Sequence, residues 1–150
     1  MELILALIGA VTGCLAAVYS YTAIERSKIE AVNAYYKNDR DPDFIEARRT
    51  VYNLPENYIP SDLIQDERGS KIAILILSYE QSGILVKEDQ LPFWVFSKNA
   101  AGFAVVNFYR ILAPYIEYRR GKHPFFAINF ESLRNRIVKE SPEILDYMKS

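Results

Sequence analysis

The chain has 150 residues, half of them hydrophobic and a quarter charged, with a formal net charge of −1. This balance fits one globular unit with enough chain for a core, and it is the signature of neither a disordered protein nor a nucleic-acid-binding tail. A single Cys excludes an intrachain disulfide, and one Cys with one His cannot build the usual Cys/His zinc site, so no metal and no cofactor are expected.

The first element is the run from Leu3 to Ile24, which contains no charged residue. Its middle, "LIGAVTGCLAAVYS" (Leu7 to Ser20), admits three readings: a lipoprotein cleavage site with Cys14 lipidated, a secretory signal that is removed, or a retained span. A signal peptide requires a positive start, whereas only Glu2 separates Met1 from the run, and the chain after Cys14 stays apolar. About 20 such residues cross a bilayer as a helix, so residues 1–25 are expected to form a transmembrane anchor. All 18 Lys and Arg follow residue 25. The positive-inside bias therefore places the N-terminus outside and residues 26–150 in the cytoplasm as a helical domain. Gly9, Gly13 and Ala17 recur every four residues, a stripe through which two spans could pack into a homo-oligomer.

Beyond the run, helix is expected without a break to Pro42, with Asp41 as the cap of the next helix and Pro42 at its first position. "DFIEARRTVYNL" places Phe44, Ile45, Val51 and Tyr52 at helical spacing, and "PENYIPS" ends it. Ser61-Asp62 starts a short turn. "ERGSKIAILILSYEQSGILV" reads as a buried helix stopped at Gly83, although Ile72–Leu77 alone is also compatible with a buried strand. "LPFWVFSKN" leads into a long helix over "AGFAVVNFYRILAPYIEYRRGK", bent at Pro114. Its first part, Ala100 to Ile116, is apolar enough to suggest a second span. Asn107 and Arg110 lie mid-run, however, and an Arg near the bilayer centre costs about 2.5–3.5 kcal/mol, which favours a core helix. "HPFFAINFESLRNRIVKE" supplies another helix, and Ser141 with Pro142 opens the last. The expected fold class is all-α, a single transmembrane helix followed by a cytoplasmic helical bundle.

"SYEQSGILV" (Ser78 to Val86), "YRILAPYIEYRR" (Tyr109 to Arg120) and "FFAINFESL" (Phe125 to Leu133) occur in this order behind the apolar start. In this the chain resembles a widespread family of small bacterial proteins of unknown function. The resemblance rests on Glu80 and Gly83, on Ile116 and Arg119, and on Phe130, Glu131 and Leu133. It implies a helical fold and an anchor in the bacterial inner membrane, and it implies no activity.

Glu80 follows an apolar run, so a buried carboxylate partnered by Arg110 or Arg119 is expected, with Glu131 in the same set of structural ion pairs. The catalytic reading makes Glu80 and Glu131 an acid/base pair with Arg119 holding an anion, and it requires the three to line an open cleft. No nucleophile set accompanies them, since His123 stands alone beside Pro124. Arg119, Arg120 and Lys122 form the basic stretch best suited to an anion or to lipid headgroups. These features favour a non-enzymatic interaction or regulatory protein whose partners are the lipid bilayer, a second copy of itself and an unidentified protein, but not nucleic acid. The competing reading is an antiviral or toxin-like effector whose cytoplasmic domain senses an anionic, nucleotide-like signal.

Overall fold

A computed structural model describes residues 2–97 and 99–148, with only the backbone described for residues 2–11 and for Gly13. The described chain is helical, with no strand among its residues: α1 (Glu2–Asp39), α2 (Pro42–Tyr52), α3 (Glu67–Lys87), α4 (Ala100–Arg120), α5 (Ile128–Glu140) and α6 (Ile144–Tyr147). Two short 3-10 turns, Asp62–Ile64 and Phe93–Val95, punctuate the long connections. The all-α expectation holds.

At 38 residues, α1 is about 57 Å long, and its two halves have different surroundings. From Lys28 onward it lies on the bundle, with Ala31, Val32 and Tyr35 packed against the core. Among the described side chains ahead of that point, Leu15, Val18, Tyr19, Tyr21 and Ile24 are 55–77% exposed. Among the described residues no helix is long and apolar enough to cross a membrane. The stretch from Leu3 to Val11 lies outside the described side chains, and so do the Gly9 and Gly13 of the small-residue stripe; its third member, Ala17, is exposed.

α2 begins as its sequence dictates. The Asp41 carboxylate accepts from the amides of Asp43 and Phe44, and Pro42 occupies the first turn, where a missing N–H costs nothing. α2 then buries Phe44, Ala47 and Val51 against α3. α3 also packs on α5, which in turn packs on α4, so α3 is the central element of the bundle. The core joins Tyr79 of α3 to Phe108 of α4 and Phe130 of α5, with ring centroids 6.0 and 5.1 Å away. The apolar start of α4 is part of that core, with Val105, Val106, Phe108, Leu112 and Ile116 almost fully buried and Arg110 on the outside.

The Ile72–Leu77 run is helical, and the helix does not stop at Gly83. α3 continues to Lys87 and closes in a Schellman motif: the Gln90 amide donates to the Leu85 carbonyl at 2.8 Å and the Asp89 amide to the Val86 carbonyl at 3.3 Å. Asp89 occupies the left-handed position with φ 54, which a short polar side chain tolerates. Gly83 instead sits buried mid-helix because a Cβ there would collide with the Asn129 carbonyl of α5. Pro114 lies inside α4. Beside it the Tyr58 hydroxyl donates to the Ile111 carbonyl at 2.9 Å, one residue past the Arg110 carbonyl that the proline leaves without a helical donor. Ser141 does not cap the last helix; it ends α5, and α6 begins three residues later with no side-chain cap.

The close approach at Gly83 decides the sign of a substitution. On helix propensity alone Gly83→Ala stabilises by about 1 kcal/mol. Against the Asn129 backbone it must push α5 away, an overpacking cost of about 1–3 kcal/mol. Chemical denaturation of Gly83→Ala is expected to show a net loss of stability.

Candidate functional site

The family-like residues come together at the start of α5, with different partners from those expected. α5 is preceded by Ala127, whose backbone is left-handed (φ 57) and which offers no capping side chain. Its amides are capped from another helix. Glu80 of α3 accepts from the Phe130 amide at 2.8 Å, from the Asn129 amide at 3.0 Å and from the Asn129 side-chain amide at 2.7 Å. These are the second and third amides of the helix, the two that an N-cap side chain ordinarily satisfies, and the positive end of the helix dipole adds to the attraction. Arg110 and Arg119 do not partner Glu80. Arg110 donates to Asn107 of its own helix, and Arg119 donates to the Tyr115 hydroxyl while lying 4.8 Å over the Phe126 ring.

Glu131 pairs with Arg120, at 2.8 Å. The same guanidinium donates to the carbonyls of Phe126 and Ala127, so it holds the strained turn from the side opposite Glu80. Arg120 therefore keeps the Glu131 carboxyl below its ordinary value, and burial opposes that shift. Arg119 and Arg120 are committed within the fold, and of the basic stretch Lys122 alone is fully exposed. Glu80 is occupied by α5 amides, Glu131 by Arg120, and Arg119 by the Tyr115 hydroxyl and the Phe126 ring. This arrangement is a staple between helices.

An open space does exist where α1 meets the bundle. A pocket of about 300 Å³ is walled by Tyr35 and Asp39 of α1, Arg48 of α2, Tyr79 of α3 and the first turn of α4 at Ala100 and Ala101. Arg48 donates to the Asp39 carboxylate at 2.8 Å and to its backbone carbonyl at 3.2 Å, so this pair is closed on itself. The Tyr79 ring is wedged among Phe44, Phe108 and Phe130, and only 2% of the residue is exposed. Its hydroxyl end lies toward Tyr35, Asp39 and Arg48, and it has no hydrogen-bond partner among the described residues. Burial holds the phenols of Tyr79 and Tyr35 above the usual range, so both remain neutral and able to donate.

The contacts that seat α1 on the bundle join the apolar packing of Ala31, Val32 and Tyr35 to separable polar links. Lys28 bridges to Asp89 at 2.7 Å, Asn38 donates to the Ser78 hydroxyl at 2.8 Å, and a second cleft of about 160 Å³ separates Ala31 and Ala34 from Gln81 and Leu85. Tyr35 supplies an aromatic contact to Phe96 at 5.1 Å. Sequence reasoning passed over the pocket because four different helices contribute to it. The available signal was Tyr79, a phenol placed on the otherwise aliphatic face of Ile72, Leu75, Ile76 and Val86.

Two outcomes test this geometry. Glu80→Ala is expected to lose about 2–3 kcal/mol of stability, the sum of a lost cap and stranded amides, and Glu80→Gln about half of that. Denaturant titration of the two variants measures both. For Glu131 the folded value is depressed, so the stability that the Arg120 pair contributes is present above the ordinary carboxyl value of 4.5 and is lost as pH falls through the folded value. The difference in melting temperature between the wild type and Glu131→Gln is expected to be full at pH 7 and to close below pH 4.5. Because the pair is partly exposed, salt is expected to reduce this difference.

No curated protein and no solved structure matches the chain. A family model described as a domain of unknown function, DUF4760, matches residues 7–137, which include α2 to α4, the Glu80 staple and nearly all of α5. The chain belongs to the DUF4760 family of domains of unknown function.

Proposed function

We propose that this protein is a membrane-tethered, non-enzymatic interaction or regulatory domain in which α1 joins the bilayer to the bundle. The observation that carries this reading is the divided character of α1, docked on the bundle from Lys28 onward and, ahead of it, exposed at Leu15, Val18, Tyr19, Tyr21 and Ile24. Exposed apolar surface on this scale needs a partner, and the occupant we assign is the lipid bilayer. The uncharged run from Leu3 to Ile24 matches the length of a spanning helix, and Tyr19 and Tyr21 stand at its inner end, where aromatic rings favour the interface. Arg26, Lys28 and Lys37 follow on the side that the positive-inside bias assigns to the cytoplasm.

The joint supports a regulatory role. Movement of α1 against the bundle breaks ion pairs and hydrogen bonds that water can replace, whereas α2 to α5 share a dry aromatic core. A pull or rotation of α1 would thus reach the pocket before it disturbs the staple at α5.

Alkaline extraction of cell membranes tests the tether. The full-length chain is expected to remain in the pellet, and Leu15→Arg, which places a charge in the apolar run at a cost of about 2.5–3.5 kcal/mol, is expected to shift it toward the supernatant. Complete extraction of the wild-type chain would end this reading.

A further inference from the structure

We infer that the pocket between α1 and the first turn of α4 is a binding site for a small oxyanion, a carboxylate or phosphate group carried by a soluble metabolite. The inference does not depend on the membrane tether, because it concerns groups that face one another within the bundle.

The pocket presents several hydrogen-bond donors. Its carboxylate, Asp39, is charge-paired with Arg48, which donates to one of its two oxygens at 2.8 Å. The Tyr79 hydroxyl has no partner among the described residues and lies in a residue only 2% exposed. That hydroxyl meets the pocket space, where a ligand oxygen can accept from it in place of water. The Tyr35 hydroxyl belongs to the same wall. From the opposite side comes the N-terminus of α4. Asn99 caps the Gly102 amide at 3.0 Å, which leaves the amides of Ala100 and Ala101, ahead of it in the helix, without an intrahelical acceptor. Aligned peptide dipoles place partial positive charge at that end of a 21-residue helix.

Two phenols that stay protonated, two free amides and a helix N-terminus make a set that suits oxygen atoms bearing negative charge. Small side chains leave the room: Ala100, Ala101 and Ala104 line the α4 wall where larger residues would fill the space. Because Tyr35 and Asp39 belong to α1 and Tyr79 to α3, an oxyanion bound here ties the seat of α1 to the core. Occupancy would therefore stiffen the joint through which α1 meets the bundle.

The test is isothermal titration of the purified full-length chain in mild detergent with inorganic phosphate and, separately, with succinate, beside differential scanning fluorimetry. Saturable binding of at least one of these anions, with a rise in melting temperature, is expected. Tyr79→Phe is expected to weaken that binding at least tenfold while leaving the fold intact, since it removes an unpaired hydroxyl and keeps the ring. In the absence of anion its melting temperature is expected to equal or exceed that of the wild type. Ala101→Asp is expected to abolish binding by placing a carboxylate in the pocket, in a first helical turn where that charge is tolerated. Failure of both anions to bind at tens of millimolar overturns the inference. Binding that is equally tight in Tyr79→Phe and Ala101→Asp also overturns it, because the anion then sits elsewhere.

Discussion

One carboxylate sets the arrangement of the bundle. Helix α5 starts directly after a sharp turn, at an alanine held left-handed, with no Ser, Thr, Asp or Asn in the capping position. A helix start with bare amides in a partly buried place is costly, and Glu80 removes that cost from a neighbouring helix. The cap also fixes the distance between α3 and α5, which is small enough that residue 83 must be glycine. Arg120 completes the arrangement by holding the carbonyls of the turn itself. Capping, close approach and turn geometry are therefore one linked constraint, and Tyr79 owes its place among Phe108 and Phe130 to it.

The segment Ser78 to Gly83 shows how much one helix can carry. Ser78 receives a hydrogen bond from Asn38 of α1, Tyr79 reaches from the core to the pocket, Glu80 caps α5, and Gly83 admits the α5 backbone. Adjacent residues on a helix point about 100° apart, so Ser78, Tyr79 and Glu80 serve different neighbours, whereas Glu80 and Gly83, three residues apart, share the face toward α5. Packing energy is concentrated on the α5 side of α3, where the contacts are aromatic and dry. Toward α1 polar links accompany the apolar packing of Ala31, Val32 and Tyr35, and two clefts interrupt them. A structure built this way keeps α2 to α5 as one body and holds α1 to it more loosely than they hold one another, which is the property a helix linking two environments would need.

Much of the fold was legible in the sequence because it follows from periodicity and local chemistry. The continuation of α1 to Asp39, the Asp41–Pro42 start of α2 and the burial of α4 all depend on residues within a few turns of each other. The staple was legible only as a set of letters. Glu80 and Glu131 stand out as carboxylates that need partners, but the partners of Glu80 are backbone amides some fifty residues away, and an amide leaves no letter to read. Arg119 and Arg120 are neighbours in sequence, and only the position of α5 decides that Arg120 meets the carboxylate while Arg119 covers rings. Gly83 has the same ambiguity: as a letter it suggests a stop, and the helix that requires it lies on the other side of α4 in the chain. The pocket is less legible still, since its polar atoms come from four helices and none of them forms a local pattern.

The account stands or falls on the cap that Glu80 places on α5, and native-state hydrogen exchange reads it directly. The amides of Asn129 and Phe130 lie in the first turn of a helix, where exchange is ordinarily fast. Held by the Glu80 carboxylate, they are expected to exchange slowly, in step with the interior of α5 and well behind the open amides of Ala100 and Ala101 at the start of α4. Exchange at Asn129 and Phe130 as fast as at those two alanines would contradict the cap, and with it the linked constraint that orders the bundle.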